Sequence, residues 1–148
     1  MTTQLNIERV YVKDISFESP LVPMIFTEQW KPKVKLDLNT STRALAENRY
    51  EVDLRITVTT ETESEVTSLI VEVTQSGLFQ ISGFEDDQLK QLLATMCPNI
   101  LFPYAREQID SLMVKGGFPP IQLAPVNFDA VYAQALQAET EKSDAETH

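Results

Sequence analysis

The sequence predicts an α+β domain in which strands come first and helices last. Apolar residues alternate with polar ones in four segments before Ser82, and beyond Glu85 the apolar spacing changes to that of helices. The length, 148 residues with 43% hydrophobic and 23% charged, is that of one ordinary globular domain.

From Leu5 to Phe17 the odd positions Leu5, Ile7, Tyr11, Ile15 and Phe17 are apolar, interrupted by Arg9, with Val10 and Val12 assigned to the opposite face of a first strand. Glu18 to Lys33 carries Pro20, Pro23 and Pro32, which prevent a regular helix or central strand. It also carries Leu21, Met24, Ile25, Phe26 and Trp30, so this crossing loop either packs on the body or offers a binding surface. For Phe26 and Trp30 the spacing leaves both readings open. Val34, Leu36 and Leu38 form one face of a second strand, and the polar stretch after it reads as a turn. Tyr50, Val52, Leu54, Ile56 and Val58 mark the third strand, Glu61 to Glu65 a second turn, and Leu69, Val71, Val73, Phe79 and Ile81 the inner face of the fourth. Ile70 and Leu78 are expected as exposed apolar residues on that strand's other face. The short connections suit an antiparallel meander.

Glu85, Asp86 and Asp87 stand where a helix N-terminus favours carboxylates, and Leu89, Leu92, Leu93 and Met96 follow at helical spacing. Pro98 and Pro103 break or restart that helix. Phe102, Ala105, Ile109, Leu112 and Met113 continue a stripe to the stop at Gly116 and Gly117. Asn127 caps a last helix with the stripe Phe128, Val131, Tyr132, Ala135 and Leu136. The body is taken as 1–138, and 139–148 as a mobile acidic tail.

Twelve Lys plus Arg against 22 Asp plus Glu give a net charge of −10, which disfavours nucleic acid and anionic lipid and favours basic partners. Met1 to Val10 has no basic region followed by an apolar run, and no segment approaches the ~20 apolar residues that span a bilayer, so a cytosolic protein without direct membrane insertion is expected. The only histidine is His148, which rules out Ser-His, Cys-His and multi-histidine metal arrangements within one ordered chain. Cys97, the sole cysteine, can form no intramolecular disulfide and reads as a buried structural thiol. Lys115-Gly116-Gly117 has neither the spacing nor the ending of a phosphate-binding loop. Glu85, Asp86, Asp87 and Glu107 remain as conceivable acid and base, but helix capping and helix-surface placement account for them. No enzymatic activity and no cofactor are expected.

Four segments in order resemble the SecB family of bacterial export chaperones: Tyr11-Val-Lys-Asp-Ile-Ser-Phe-Glu-Ser-Pro20, Trp30-Lys-Pro32, Cys97-Pro-Asn-Ile-Leu-Phe-Pro-Tyr-Ala-Arg-Glu107 and Ala124-Pro-Val-Asn-Phe-Asp-Ala130. The likeness runs from about Leu5 to Leu136. Departures are Met24, where relatives often carry histidine, Gly117, where they often carry threonine, and Val71, where a strand cysteine is common and whose change bears on subunit association.

The resemblance implies a four-stranded antiparallel sheet with two C-terminal helices, assembled as a dimer of dimers. It implies an ATP-independent holdase that keeps unfolded precursor proteins translocation-competent and passes them to the SecA ATPase. Asp14, Glu18, Ile70 and Glu72 match the family's SecA-docking positions. Val34, Leu36, Leu38, Tyr132 and Leu136 match its client-contacting positions, and Trp30 of the crossing loop joins them as an apolar groove. A homotetramer also follows if the stripe from Phe102 to Met113 exceeds what one thin sheet covers. Two other readings stand beside export: a SecB-like adaptor dedicated to one partner, such as a toxin-antitoxin system, and a carboxylate-dependent hydrolase.

Overall fold

The structure is a computed structural model and describes residues 2–147; His148 lies outside the described residues. Strands β1 (Gln4–Glu18), β2 (Lys33–Ala46), β3 (Arg49–Glu61) and β4 (Thr67–Ser82) form one antiparallel sheet in the order β1-β4-β3-β2. β2, β3 and β4 make the expected meander. The crossing loop carries the chain from one edge of the sheet to the other, which leaves β1 and β2 as the two edge strands.

β1 departs from the simple alternation. Ile7 lies opposite Phe79 while Arg9 lies opposite Leu78, and Val12 lies opposite Gln75 while Asp14 lies opposite Thr74, so Glu8 and Lys13 are extra residues in two bulges. Each bulge shifts the side-chain phase by one. Leu5, Ile7, Val10, Val12, Ile15 and Phe17 therefore share the inner face, and Tyr11 stands on the outer face opposite Ser76. The reading that grouped Tyr11 with Leu5 and set Val10 and Val12 apart is corrected. The inner face of β4 is as expected: Leu69, Val71, Val73, Phe79 and Ile81 are all buried, while Ile70 and Leu78 on its outer face are half-buried rather than exposed.

β2 is longer than its apolar alternation. Most of the stretch expected as a turn, from Asn39 to Ala46, pairs with β3 as far as Arg49. An edge strand beyond the cover of a helix can be polar on both faces without burying an unpaired group. The tight turns follow at Glu47-Asn48, with Asn48 at φ 62°, and at Thr62–Val66, closed by the Thr62 amide donating to the Val66 carbonyl at 2.9 Å.

The helical half has three helices: α1 (Asp86–Ala94), α2 (Met96–Lys115) and α3 (Phe128–Thr147). The first expected helical stretch is divided at Thr95. Pro98 has no N–H for the carbonyl of Ala94, and its ring would crowd that carbonyl, so α1 stops and α2 restarts with Pro98 in its first turn. Glu85 precedes α1 as its cap residue, its amide donating to Gln88 Oε1 at 3.4 Å, and Asp86 and Asp87 occupy the first turn. α3 is capped as expected, the Ala130 amide donating to Asn127 Oδ1 at 3.0 Å. Its backbone continues through the stretch read as a tail.

α2 packs chiefly on β4 and β3. Leu101, Phe102, Ala105, Ile109 and Met113 are buried there, each large one stabilising the fold by roughly 1.5–3 kcal/mol. The stripe invoked for a tetramer is thus mostly consumed within one subunit. Gly77, on the inner face, makes this packing possible, because a Cβ there would meet the Phe79 ring at 2.6 Å and Leu101 at 3.0 Å. Cys97 is fully buried and its thiol is pushed up to about 12 by that burial, which makes it an inert core residue. Val71 is likewise buried, opposite Phe17 and Val58, so any effect of this departure on assembly passes through the subunit's own core.

Candidate functional site

The end of α2 positions the crossing loop. Gly117 has φ 90°, and the amides of Gly117 and Phe118 donate to the carbonyls of Val114 at 3.0 Å and Met113 at 2.9 Å. This is the paired capping pattern that a left-handed residue after a helix allows. It turns Phe118 back into the core, where its ring lies 5.3 Å from Phe26 and 5.0 Å from Trp30. A threonine at 117 would be strained at that φ and would bring a Cβ to 3.0 Å from the Phe26 ring. Ile25 is the buried anchor of the loop, while Met24 and Phe26 remain 67% and 52% exposed.

From this aromatic anchor an apolar strip continues onto β2. Val34, Leu36 and Leu38 lie opposite Thr60, Val58 and Ile56, whose side chains are buried under the helical layer. α2 packs on β4 and β3 and has no comparable packing on β2, and Val34 and Leu36 keep 46% and 44% of their surface exposed while Leu38 is half-buried. The strip borders an open sheet edge with unpaired backbone groups. The structure thus brings Trp30, Val34, Leu36 and Leu38 into one region. Tyr132 and Leu136 are not held over it: α3 packs mainly on α1 and α2, with Phe128 buried edge-on to Phe102 at 6.3 Å, and there is no comparable packing of α3 on β2. Beyond Phe128 the stripe of α3 is largely uncovered, Val131 and Leu136 being exposed and Tyr132 half-buried.

The sequence reading missed Phe118 as part of this region. Its signal was the large apolar residue directly after Gly116-Gly117, the position from which a helix-terminating turn makes its hydrophobic contact. A depression of about 570 Å³ adjoins the loop, with Leu21, Ile25 and Trp30 beside Glu28, Lys31 and Glu61. A cleft of about 510 Å³ separates α1 and the start of α2 from the start of α3, lined by Leu92, Met96, Val126 and Phe128 with Gln91 and Asn127.

The outer face of the sheet is different. Glu18 stands opposite Ile70, Ser16 opposite Glu72 and Asp14 opposite Thr74, so the four positions Asp14, Glu18, Ile70 and Glu72 form one patch across β1 and β4. Among the described residues Asp14 and Glu18 enter no ion pair. Glu72 accepts from Thr57 Oγ1 at 3.2 Å and lies 3.5 Å from Arg55 Nε.

Further along the same face the charges are balanced. Tyr11 donates its hydroxyl to Glu51, Lys13 Nζ reaches Glu51 at 2.9 Å and Asp53 at 3.2 Å, Arg43 reaches Glu51 at 3.1 Å, and Ser76 donates to Asp53 at 2.6 Å. Burial, and then the bond to Glu51, push the Tyr11 hydroxyl up to about 12. The same bond, followed by that from Lys13, holds the Glu51 carboxyl below its ordinary value. The bulge at Glu8 carries Tyr11 to this face, out of phase with Leu5 and Ile7, and the bulge at Lys13 returns Ile15 and Phe17 to the inner one. None of the capping carboxylates Glu85, Asp86 and Asp87, nor Glu107 on α2, lies in either region, and all four are exposed.

The family model described as preprotein translocase subunit SecB matches residues 1–139. The chain belongs to the SecB family of protein-export chaperones. The protein-export protein SecB of Marinobacter nauticus is 55% identical over 143 residues, covering 97% of this chain and 86% of the relative. That of a Marinomonas species is 56% identical over 144 residues, covering 97% and 87%. Among solved structures, the SecB-like chaperone of Mycobacterium tuberculosis, in complex with a peptide from an antitoxin, superposes with a TM-score of 0.70 at 15% identity, over 83% of this chain and 91% of that one. At that identity the likeness establishes the fold. Among the described residues no helix is long and apolar enough to cross a membrane.

Proposed function

We propose that this chain is a cytoplasmic, ATP-independent holdase that binds unfolded precursor proteins on the strip of Trp30, Val34, Leu36 and Leu38 and delivers them to SecA, docked on Asp14, Glu18, Ile70 and Glu72. The observation that carries the reading is an apolar strip left open on an otherwise well-packed family member, continuous with the core and beside an unpaired strand edge. Apolar contact does not demand one geometry, and an extended client backbone can add bonds along β2, so many sequences fit. A holdase acts by mass action on the free concentration of aggregation-prone chain, which needs neither catalysis nor nucleotide. The relatives more than half identical to this chain are export proteins by name, which places export ahead of an adaptor dedicated to one partner.

Tyr132 and Leu136 join the groove when α3 or its counterpart in another subunit closes over β2. Assembly as a dimer of dimers supplies that counterpart. It is supported by the second face of α2, where Met96, Tyr104 and Val114 are exposed opposite the buried stripe, and by the exposed Ile7, Val12 and Ile15 at the β1 edge. In this reading residues 1–138 are the chaperone body, and 139–148 form a separate acidic tail. Dilution of an unrelated unfolded protein into buffer without nucleotide is the test: stoichiometric amounts of this chain should delay its refolding and suppress its aggregation. An unaltered refolding rate at a several-fold excess of chaperone would refute the holdase.

A further inference from the structure

A cation sits beside Glu72 within the acidic patch and works against it. On the outer side of the sheet Asp14, Thr74, Arg55 and Asn39 form one cross-strand row, and Ser16, Glu72, Thr57 and Asp37 form the next. Arg55 sits inside the patch, in the row of Asp14 and diagonal to Glu72, with its Nε 3.5 Å from Glu72 Oε1. Thr57 holds the other carboxylate oxygen at 3.2 Å. Of the three acids of the patch, Glu72 alone has a cation partner among the described residues. Thr74, between Asp14 and Arg55, is 5% exposed and its Oγ1 has no hydrogen-bond partner, an unmade bond at the centre of the face.

We infer that Arg55 is a clasp on Glu72 that tempers docking: a partner presenting cations has to displace it before Glu72 can be used. This rests on the reading of the acidic patch as the SecA-docking surface. The Arg55 side chain is 57% exposed and that of Glu72 32%, so the pair is loose enough to exchange. Exchange of one guanidinium for another group of the same charge changes little in total energy, which suits a partner that docks and leaves. Arg55 also places a positive charge among Asp14, Glu18 and Glu72, and thereby lowers the attraction felt by a basic surface at a distance.

The test is the affinity of purified SecA for the intact assembled protein. Arg55→Gln should bind about two- to fivefold more tightly at low ionic strength, the range an exposed pair can contribute. The gain should fade near about 0.5 M salt, where screening shortens to a few ångströms. It should be smaller in a Glu72→Gln background, because the clasp then has nothing to release. Arg55→Lys, which keeps the charge, should stay near the parent. Weaker or unchanged binding by folded Arg55→Gln overturns the inference, and so does a gain of equal size in the Glu72→Gln background. If Arg55→Gln loses its thermal transition, Arg55→Thr, which suits a strand, is read in its place. Failure of the underlying docking reading is separately visible: Asp14→Lys and Glu18→Lys would then leave SecA affinity unchanged whatever happens at Arg55.

Discussion

The two faces of one sheet differ in chemistry. On the inner face β3 and β4 are covered by α2 and hold fully buried Leu54, Ile56, Val71 and Val73, while β2 carries the same pattern outward to Val34 and Leu36, which stay 46% and 44% exposed. On the outer face the side chains are mostly polar, and among the described residues Asp14 and Glu18 on β1 enter no ion pair. In the proposed function the inner face would recognise by removing apolar surface from water, a force indifferent to sequence and direction. The outer face would recognise by charge, which acts at a distance and depends on salt. Under that proposal the two tasks are kept apart by using both sides of a single layer.

The largest expected effect lies under α2. Ile109→Ala removes a fully buried side chain and should cost about 2–5 kcal/mol in denaturant unfolding. Leu36→Ala, in the same apolar pattern but 44% exposed, should change stability by less than about 1 kcal/mol and instead weaken client binding. Combining it with Val34→Ala and Tyr132→Ala should abolish capture of an unfolded client measured by light scattering. Equal thermal losses in Ile109→Ala and Leu36→Ala would make the β2 strip ordinary core.

Next in size is the outer face. Asp14→Lys or Glu18→Lys reverses a charge that enters no ion pair among the described residues, and SecA affinity should fall roughly tenfold at low salt and much less at high salt. Salt-independent loss would point to a steric cause.

The smallest effect concerns the balanced end of that face. Glu51 has a lowered folded value, so its contribution to stability is complete above its ordinary pKa of 4.5 and is lost as pH falls toward the lowered value. Tyr11 has a raised one, so its contribution is present below its ordinary 10 and is lost as pH rises through about 12. Glu51→Gln should therefore flatten the acid limb of a thermal-stability profile and Tyr11→Phe the alkaline limb. Profiles parallel to that of the parent would exclude the Tyr11-Glu51 bond as their cause.

The parts of the fold that were legible are those where one period persists. β3 and β4 alternate cleanly because both lie in the middle of the sheet under α2. β1 was misread at Tyr11 because two bulges each add a residue. The pattern Leu5, Ile7, then Val10, Val12, then Ile15, Phe17 records them as two three-residue steps in a two-residue rhythm. β2 was cut short because its second half is polar on both faces, which only an uncovered edge permits. Pro98 signalled a break, but its place at Thr95 follows from the carbonyl four residues back. The candidate site was legible in a different way. Spacing alone set Val34, Leu36 and Leu38 on one face, yet nothing in spacing unites Asp14 with Glu72 or sets Arg55 against it, because those contacts depend on cross-strand register. The roles of Asp14, Glu18 and Glu72 came from family resemblance.

The central claim is that client capture and SecA docking reside on separate faces, and one paired measurement tests it: client affinity and SecA affinity, each on the Val34→Ala, Leu36→Ala double variant and on the Asp14→Lys, Glu18→Lys double variant, with assembly and thermal transition checked in both. The account predicts segregation, with the first variant losing at least roughly tenfold in client binding while keeping SecA, and the second the reverse. Parallel loss of both affinities in either variant, with the fold and assembly intact, would contradict it.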